Sequence, residues 1–254
     1  MIGIALSGGG ARGIAHLGVL KALNEAGIYP EIVSGTSAGA IIGGFYCSGF
    51  SPEEILRIII KTNMFSIFRP AFSWKGLLKM DKLEELLKEN LPNYTFQDLK
   101  TQLLVTATDI ERGKTTYFKK GDIIKPILAS SCLPVLFSPI DINGIKYFDG
   151  GILNNLPVEG LVKQKINSIV AVSCNPVNKN QMIKSFKDVI ERSAFLAINE
   201  NKKRSKALSK VFIEPKELTK FTVFDLSKGR EIFKVGYDYT KENMVSIKKK
   251  LKIV

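Results

Sequence analysis

The 254-residue sequence predicts an α/β protein, a three-layer α/β/α sandwich around a largely parallel central sheet. Two observations predict it. Short β-rich runs alternate with helical patterns along most of the chain, and that alternation builds crossover units with helices on both faces of a sheet. Two glycine-rich turns, Ser7-Gly8-Gly9-Gly10-Ala11-Arg12-Gly13 and Gly35-Thr36-Ser37-Ala38-Gly39, each separate an apolar strand from a helix. Open α/β sheets place their sites at such strand ends.

The first strand, near residues 2–6, reads Ile2-Gly3-Ile4-Ala5-Leu6 and runs through the first glycine turn into a helix over 13–26. A strand near 31–34, in Glu31-Ile32-Val33, leads through the second turn into a small-residue helix at 38–48 containing Ala40-Ile41-Ile42-Gly43-Gly44. Helical patterns at 52–61 and 81–90 precede strands at 102–108 and 115–119. A helix at 123–130, a strand at 145–148 and a helix at 157–164 follow. Beyond the last clear central strand at 167–173, a charge-mixed loop around Asn175 to Asn180 is expected, then a helix at 184–208, a strand at 211–214 and a helix at 229–250.

With 45% apolar residues the chain can bury a full core, and one enlarged domain over 1–254 is expected. It carries no internal repeat, low-complexity segment or Pro/Gly/Ser-rich linker. Residues 32–52 are uncharged over the length of a membrane span, but their five glycines and hydroxyl side chains fit a packed strand-turn-helix better. The N-terminus lacks the basic start of a signal peptide, so a cytoplasmic protein is the simplest expectation. Cys47, Cys132 and Cys174 lie in apolar surroundings and read as reduced, buried thiols. One histidine and three scattered cysteines show no metal-ligand spacing, and no cofactor is expected.

The net charge of +13 is concentrated in the basic, helix-rich part at 181–254; residues 201–254 alone hold fifteen Lys or Arg against six Asp or Glu. There Phe233, Tyr237, Met244, Ile247 and Leu251 recur at helical spacing among Lys241, Lys248, Lys249, Lys250 and Lys252. Such a helix either docks its apolar stripe on the core or draws the protein to anionic membrane, at about 1 kcal/mol per basic residue near the surface. No nucleic-acid partner is expected, since no recognised module accompanies the charge.

The chemistry centres on Ser37. Gly35-Thr36-Ser37-Ala38-Gly39, between a strand and a helix, has the form of a nucleophile elbow, in which a sharp turn exposes a strained serine between glycines. Its proton needs an acceptor. The one histidine, His16, lies upstream in a helical pattern, whereas the hydrolase order puts histidine after the serine, so a packing role fits it better, although spatial proximity to Ser37 stays open. A carboxylate is the alternative, and Asp149 in Tyr147-Phe148-Asp149-Gly150-Gly151 ends a short strand at a glycine turn able to aim it into a cleft. An ordinary carboxyl, with a pKa near ~4, is a poor base and would need burial to raise it. Taken alone, Asp-Gly-Gly is also an ordinary turn, and Asp109, Asp122 and Asp141 remain other acids without the glycines.

The first glycine turn presents unpaired backbone N–H groups at a helix start, suited to a tetrahedral oxyanion. Arg12 can fix this loop, attract an anionic head group, or simply lie on the surface. Gly8, Gly10 and Gly13 also satisfy the dinucleotide pattern, but the acidic residue that should end a second strand is missing; Glu31 precedes its strand. A Walker-type reading of Gly113-Lys114-Thr115 fails because Thr108 stands where the first glycine is needed. Met64-Phe65-Ser66-Ile67-Phe68-Arg69-Pro70-Ala71-Phe72-Ser73-Trp74 is either a lid or acyl-chain wall or a loop whose aromatics plug the core.

Together, Gly8 to Gly13, Gly35 to Gly39 and Asp149 to Gly151 resemble the motifs of the patatin-like phospholipases, in order and spacing. The stretch Ala129 to Pro139 resembles the block ahead of that family's aspartate, with Cys132 where a small alanine is usual. The resemblance covers about residues 1–175. It implies a patatin-like fold and a serine acyl hydrolase working with a Ser-Asp dyad, Ser37 and Asp149. It further implies an oxyanion hole from Gly8, Gly9, Gly10, Arg12, Gly13 and Ala38, with donors around Gly9, Gly10 and Ala38, and a structural His16. A phospholipid or lysophospholipid substrate follows from the resemblance alone. A transacylase with an acceptor other than water, and a non-catalytic lipid-binding module, are the alternatives.

Overall fold

A computed structural model describes residues 1–62, 80–91, 95–134, 136–178, 182–183, 185–200 and 202–253. The segment Met64 to Trp74 lies outside the described residues. In chain order the strands are β1 (Ile2–Leu6), β2 (Ile32–Gly35), β3 (Gln102–Asp109), β4 (Lys114–Phe118), β5 (Ile140–Ile142), β6 (Ile145–Asp149), β7 (Ser168–Val172) and β8 (Val211–Ile213). The helices are α1 (Ala15–Glu25), α2 (Ala38–Cys47), α3 (Pro52–Lys61), α4 (Asp81–Asn90), α5 (Ile124–Ser131), α6 (Gly151–Asn154), α7 (Val158–Lys163), α8 (Phe186–Glu200), α9 (Lys202–Ala207), α10 (Gly229–Glu242) and α11 (Met244–Leu251).

The sheet runs β5-β6-β3-β2-β1-β7-β8, with β4 also paired to β3. The strands from β3 through β2, β1 and β7 to β8 are parallel, whereas β4, β5 and β6 form an antiparallel edge. Both faces are apolar, as a parallel sheet covered on two sides requires. Ile4, Leu6, Val33, Leu103, Val105, Val170 and Val172 face one core cluster, while the alternating Ala5, Ile32, Leu104, Ile169 and Ala171 face another with Leu156, Val158 and Leu161. The layered α/β fold expected from the alternation is therefore present.

The departures are local. The helix expected at 13–26 opens as a 3-10 turn over Gly10–Ile14, and the one expected at 229–250 breaks at Asn243 into α10 and α11. The pattern at 184–208 contains two helices, α8 and α9. β5 and α6, of three and four residues, were not anticipated. Both are too short to show a period, and pairing with β6 and the turn after Asp149 define them.

The C-terminal helix docks on the core. α10 lies along α1 so closely that a Cβ on Gly18 would come within 2.0 Å of the Phe233 carbonyl oxygen, and one on Gly236 within 2.1 Å of that of Ala15. Ile232, Gly236, Ile247 and Leu251 are buried, while Lys241, Lys249 and Lys250 are exposed. Tyr237 and Lys241 both bond Glu25 across this contact. No helix among the described residues is long and apolar enough to cross a membrane.

Candidate active site

The parallel register places the ends of β1 and β2 side by side, with Leu6 opposite Gly35, so the two glycine turns emerge together. Gly35 and Gly39 are needed for close approach. A Cβ on Gly35 would fall 2.4 Å from the Gly39 carbonyl oxygen, and one on Gly39 2.2 Å from that of Leu6. Between them Ser37 takes φ 52° and ψ −121°, a left-handed backbone that a residue with a side chain adopts at a cost of about 1–3 kcal/mol. Thr36 Oγ1 anchors the elbow by donating to the Asn154 carbonyl at 3.0 Å.

Asp149 ends β6, the antiparallel neighbour of β3, and is buried beside the elbow. Its Oδ1 accepts the Gly151 N–H at 2.7 Å, and the Ser37 side chain lies close enough to act on its ionisation. Burial pushes the carboxyl up to about 6, against the smaller lowering by these two groups. Gly150 packs against the Thr106 carbonyl, where a Cβ would stand 2.3 Å from the oxygen. Of the other acids, Asp109 pairs with Arg112, while Asp122 and Asp141 accept backbone N–H groups of their own turns.

The first glycine loop is held by several segments far away in the chain. Ser7 donates its N–H to Val172 and Gly8 to the Asn155 carbonyl, each at 3.1 Å. The Gly8 carbonyl accepts from Asn175 Nδ2 at 2.6 Å, and Ala11 N–H donates to Val223 at 2.8 Å. Arg12 Nε donates to the Phe221 carbonyl at 2.7 Å, so this side chain ties the loop to the segment before α10. Gly13 packs against Ala38, where a Cβ would come within 2.6 Å of the Ala38 Cβ. The N–H groups of Gly9, Gly10 and Ala38 have no acceptor among the described residues. Three free donors therefore lie in the two turns that flank Ser37, whereas the Gly8 N–H is already used.

His16 is fully buried behind this loop. Its Nε2 lies 2.8 Å from the Ser7 carbonyl oxygen, which can only accept, so Nε2 carries the proton. The Cys174 sulfur sits 3.5 Å from Nδ1. Burial lowers the imidazole to about 4 despite the Ser7 bond, so it stays neutral near pH 7. Cys47, Cys132 and Cys174 are buried free thiols.

Three residues take roles that the sequence does not assign to them. Ser130 Oγ accepts the Ser37 N–H at 2.9 Å. Asn155 sets its Oδ1 where a Cβ on Gly8 would meet it at 2.5 Å and one on Gly151 at 3.1 Å, so the glycine loop and the Asp149 turn close around one carboxamide. Asn175 holds the Gly8 carbonyl. The local signals are the Ala129 to Pro139 block that contains Ser130, the Asn154-Asn155 pair before Leu156-Pro157, and the loop that begins at Asn175.

A family model described as patatin-like phospholipase matches residues 4–162. An uncharacterized NTE family protein of Mycobacterium tuberculosis is 30% identical over 176 residues, 68% of this chain and 49% of that protein. Lysophospholipase NTE1 of Candida glabrata is 27% identical over 272 residues, 94% of this chain but 16% of that protein. The chain thus spans about half the length, or less, of these curated relatives. The crystal structure of VipD from Legionella pneumophila shares the fold, with a TM-score of 0.50 at 17% identity over 92% of this chain and 66% of that one.

Proposed function

This chain belongs to the patatin-like phospholipase family, and from that membership we propose that it hydrolyses lipid acyl esters through Ser37 and Asp149. The observation that carries the reading is a buried carboxyl, raised to about 6, that faces the hydroxyl of a serine in a strained elbow. Asp149 ionised near neutral pH takes the Ser37 proton as the oxygen attacks the ester carbonyl. The negative charge that develops on the carbonyl oxygen is met by the free amides of Gly9, Gly10 and Ala38. The proton passes from Asp149 to the leaving alcohol as the C–O bond breaks and the acyl-enzyme forms. Water then gives a proton to Asp149 as its oxygen adds to the acyl carbon, and Asp149 passes that proton to the Ser37 oxygen as the acyl–oxygen bond breaks, releasing the fatty acid and regenerating both groups.

Gly8, Arg12 and Gly13 shape the loop, and Gly35, Gly39, Gly150 and Gly151 allow the close approaches around the two reacting side chains. The substrate class is phospholipid or lysophospholipid, in keeping with the activity in the name of the Candida glabrata relative. Peripheral approach to anionic membrane, with Lys249 and Lys250 turned outward from α11, belongs to the same reading.

The test is labelling by a fluorophosphonate probe with peptide mapping, alongside fatty-acid release from lysophospholipid. Label at Ser37, lost in Ser37→Ala and strongly slowed in Asp149→Asn, is expected. Acyl transfer to an added alcohol at the expense of fatty acid would favour a transacylase. Lipid binding with neither label nor turnover would leave a non-catalytic binding module.

A further inference from the structure

We propose that the last turn of α5 sets the separation between Ser37 and Asp149, with Ser130 as its positioning residue. This rests on the reading of Ser37 as nucleophile and Asp149 as its base. Ser130 is fully buried and donates its hydroxyl proton to the Thr106 carbonyl at 2.6 Å. Its oxygen is thereby left as an acceptor, and it receives the Ser37 N–H at 2.9 Å. Two residues further on, the Cys132 carbonyl accepts the Asp149 N–H at 2.8 Å. One helical turn therefore grips the nucleophile by a side chain and the base by a backbone oxygen.

The same Thr106 carbonyl that orients Ser130 is the surface on which Gly150 packs. On the far side, Thr108 Oγ1 donates to the Asp149 carbonyl at 3.0 Å, so β3 and α5 hold the aspartate between them. A left-handed serine persists only where its surroundings over-determine it, and Ser130 supplies the acceptor at that residue's own N–H. The arrangement has a second effect. It occupies the Ser37 amide and leaves the Ala38 amide as the elbow's free donor, so Ser130 also decides which donor an oxyanion meets.

Removing the hydroxyl frees the elbow to relax while the cleft that receives substrate keeps its walls. The loss then falls on the chemical step, where misplacement of about 1 Å costs on the order of 100-fold. The experiment compares the full chain with Ser130→Ala, Ser130→Thr and Ser130→Cys. It reads the rate of fluorophosphonate labelling at Ser37, and kcat and KM on a soluble nitrophenyl ester, per folded molecule as judged by thermal melts.

In Ser130→Ala, labelling and kcat fall by about 10- to 100-fold while KM moves less than about threefold, and Ser130→Thr recovers most of the loss by restoring the hydroxyl. A folded Ser130→Ala that labels as fast as the parent overturns the proposal, as does a folded Ser130→Thr no faster than the alanine variant. If Ser130→Ala does not fold, Ser130→Cys keeps the volume with a weak acceptor; it is expected to be slow, and parental labelling by it overturns the proposal equally. A parent chain that takes no label at Ser37 removes the nucleophile reading and this proposal with it. A labelled parent beside an equally fast Ser130→Ala removes the proposal alone.

Discussion

His16 donates from Nε2 to the Ser7 carbonyl at 2.8 Å, immediately behind the loop whose Gly9 and Gly10 amides are free. A fully buried neutral imidazole so engaged is a brace for the loop. His16→Ala removes the bond and leaves a cavity, and a loss of about 2–4 kcal/mol is expected in urea denaturation. Per folded molecule, fluorophosphonate labelling should stay within about fivefold of the parent, whereas Asp149→Asn should lose at least about 100-fold. The opposite ranking would make the histidine the base.

The pH dependence follows from Asp149, which must be ionised to accept a proton. With its carboxyl raised to about 6, kcat/KM should fall on the acid side with a midpoint near that value and level off above pH 7. The same limb should persist in His16→Gln, because the buried imidazole titrates lower, at about 4. A limb that vanishes in that variant would assign it to the histidine.

Asp149→Asn should be more stable than the parent at pH 8. The folded carboxyl, at about 6, lies above its ordinary value of 3.8, so the unfolded chain gives up this proton more readily. The favourable contribution is complete below about pH 4 and is lost as pH rises through about 6. Removing the ionisation should raise unfolding free energy at pH 8 by about 2–3 kcal/mol, with the difference from the parent shrinking toward pH 4. Denaturant titrations at the two pH values read this directly.

Ser37 itself stores backbone strain. Ser37→Gly and Ser37→Ala should both abolish ester hydrolysis, but only glycine accepts φ 52° without a Cβ penalty. The glycine variant should therefore be the more stable of the two by about 1 kcal/mol in equilibrium unfolding. Equal stabilities would mean that the elbow is not strained.

The packing of α10 on α1 predicts a sharp response to one methyl group. Gly18→Ala or Gly236→Ala drives a Cβ into a backbone carbonyl of the other helix, and each should cost about 3 kcal/mol or more. A thermal melt unchanged by either substitution would mean that the basic C-terminal helix leaves the core in solution.

The glycine turns, the elbow serine and the Asp149 turn were legible because each depends on local chemistry. Gly35 and Gly39 mark a backbone that must approach another backbone, and Gly150 and Gly151 mark a turn at a strand end. The parallel core was legible from strands such as Ile2–Leu6, apolar on both faces. β5 and α6 were not, since three and four residues carry no period and exist only through their neighbours. The break at Asn243 was missed because the apolar and basic residues continue helical spacing across it.

By itself the sequence determined the central parallel strands, the two turns at their ends and the residue types in them, because periodicity and glycine placement act within a few residues. The tertiary structure alone decided that Ser130, Asn155 and Asn175 support the elbow and the loop. It alone raised Asp149, lowered His16 and left the Gly9, Gly10 and Ala38 amides without an acceptor among the described residues. Those properties come from burial and from hydrogen bonds between segments far apart in the chain, and neither exists until the layers have closed around the sheet.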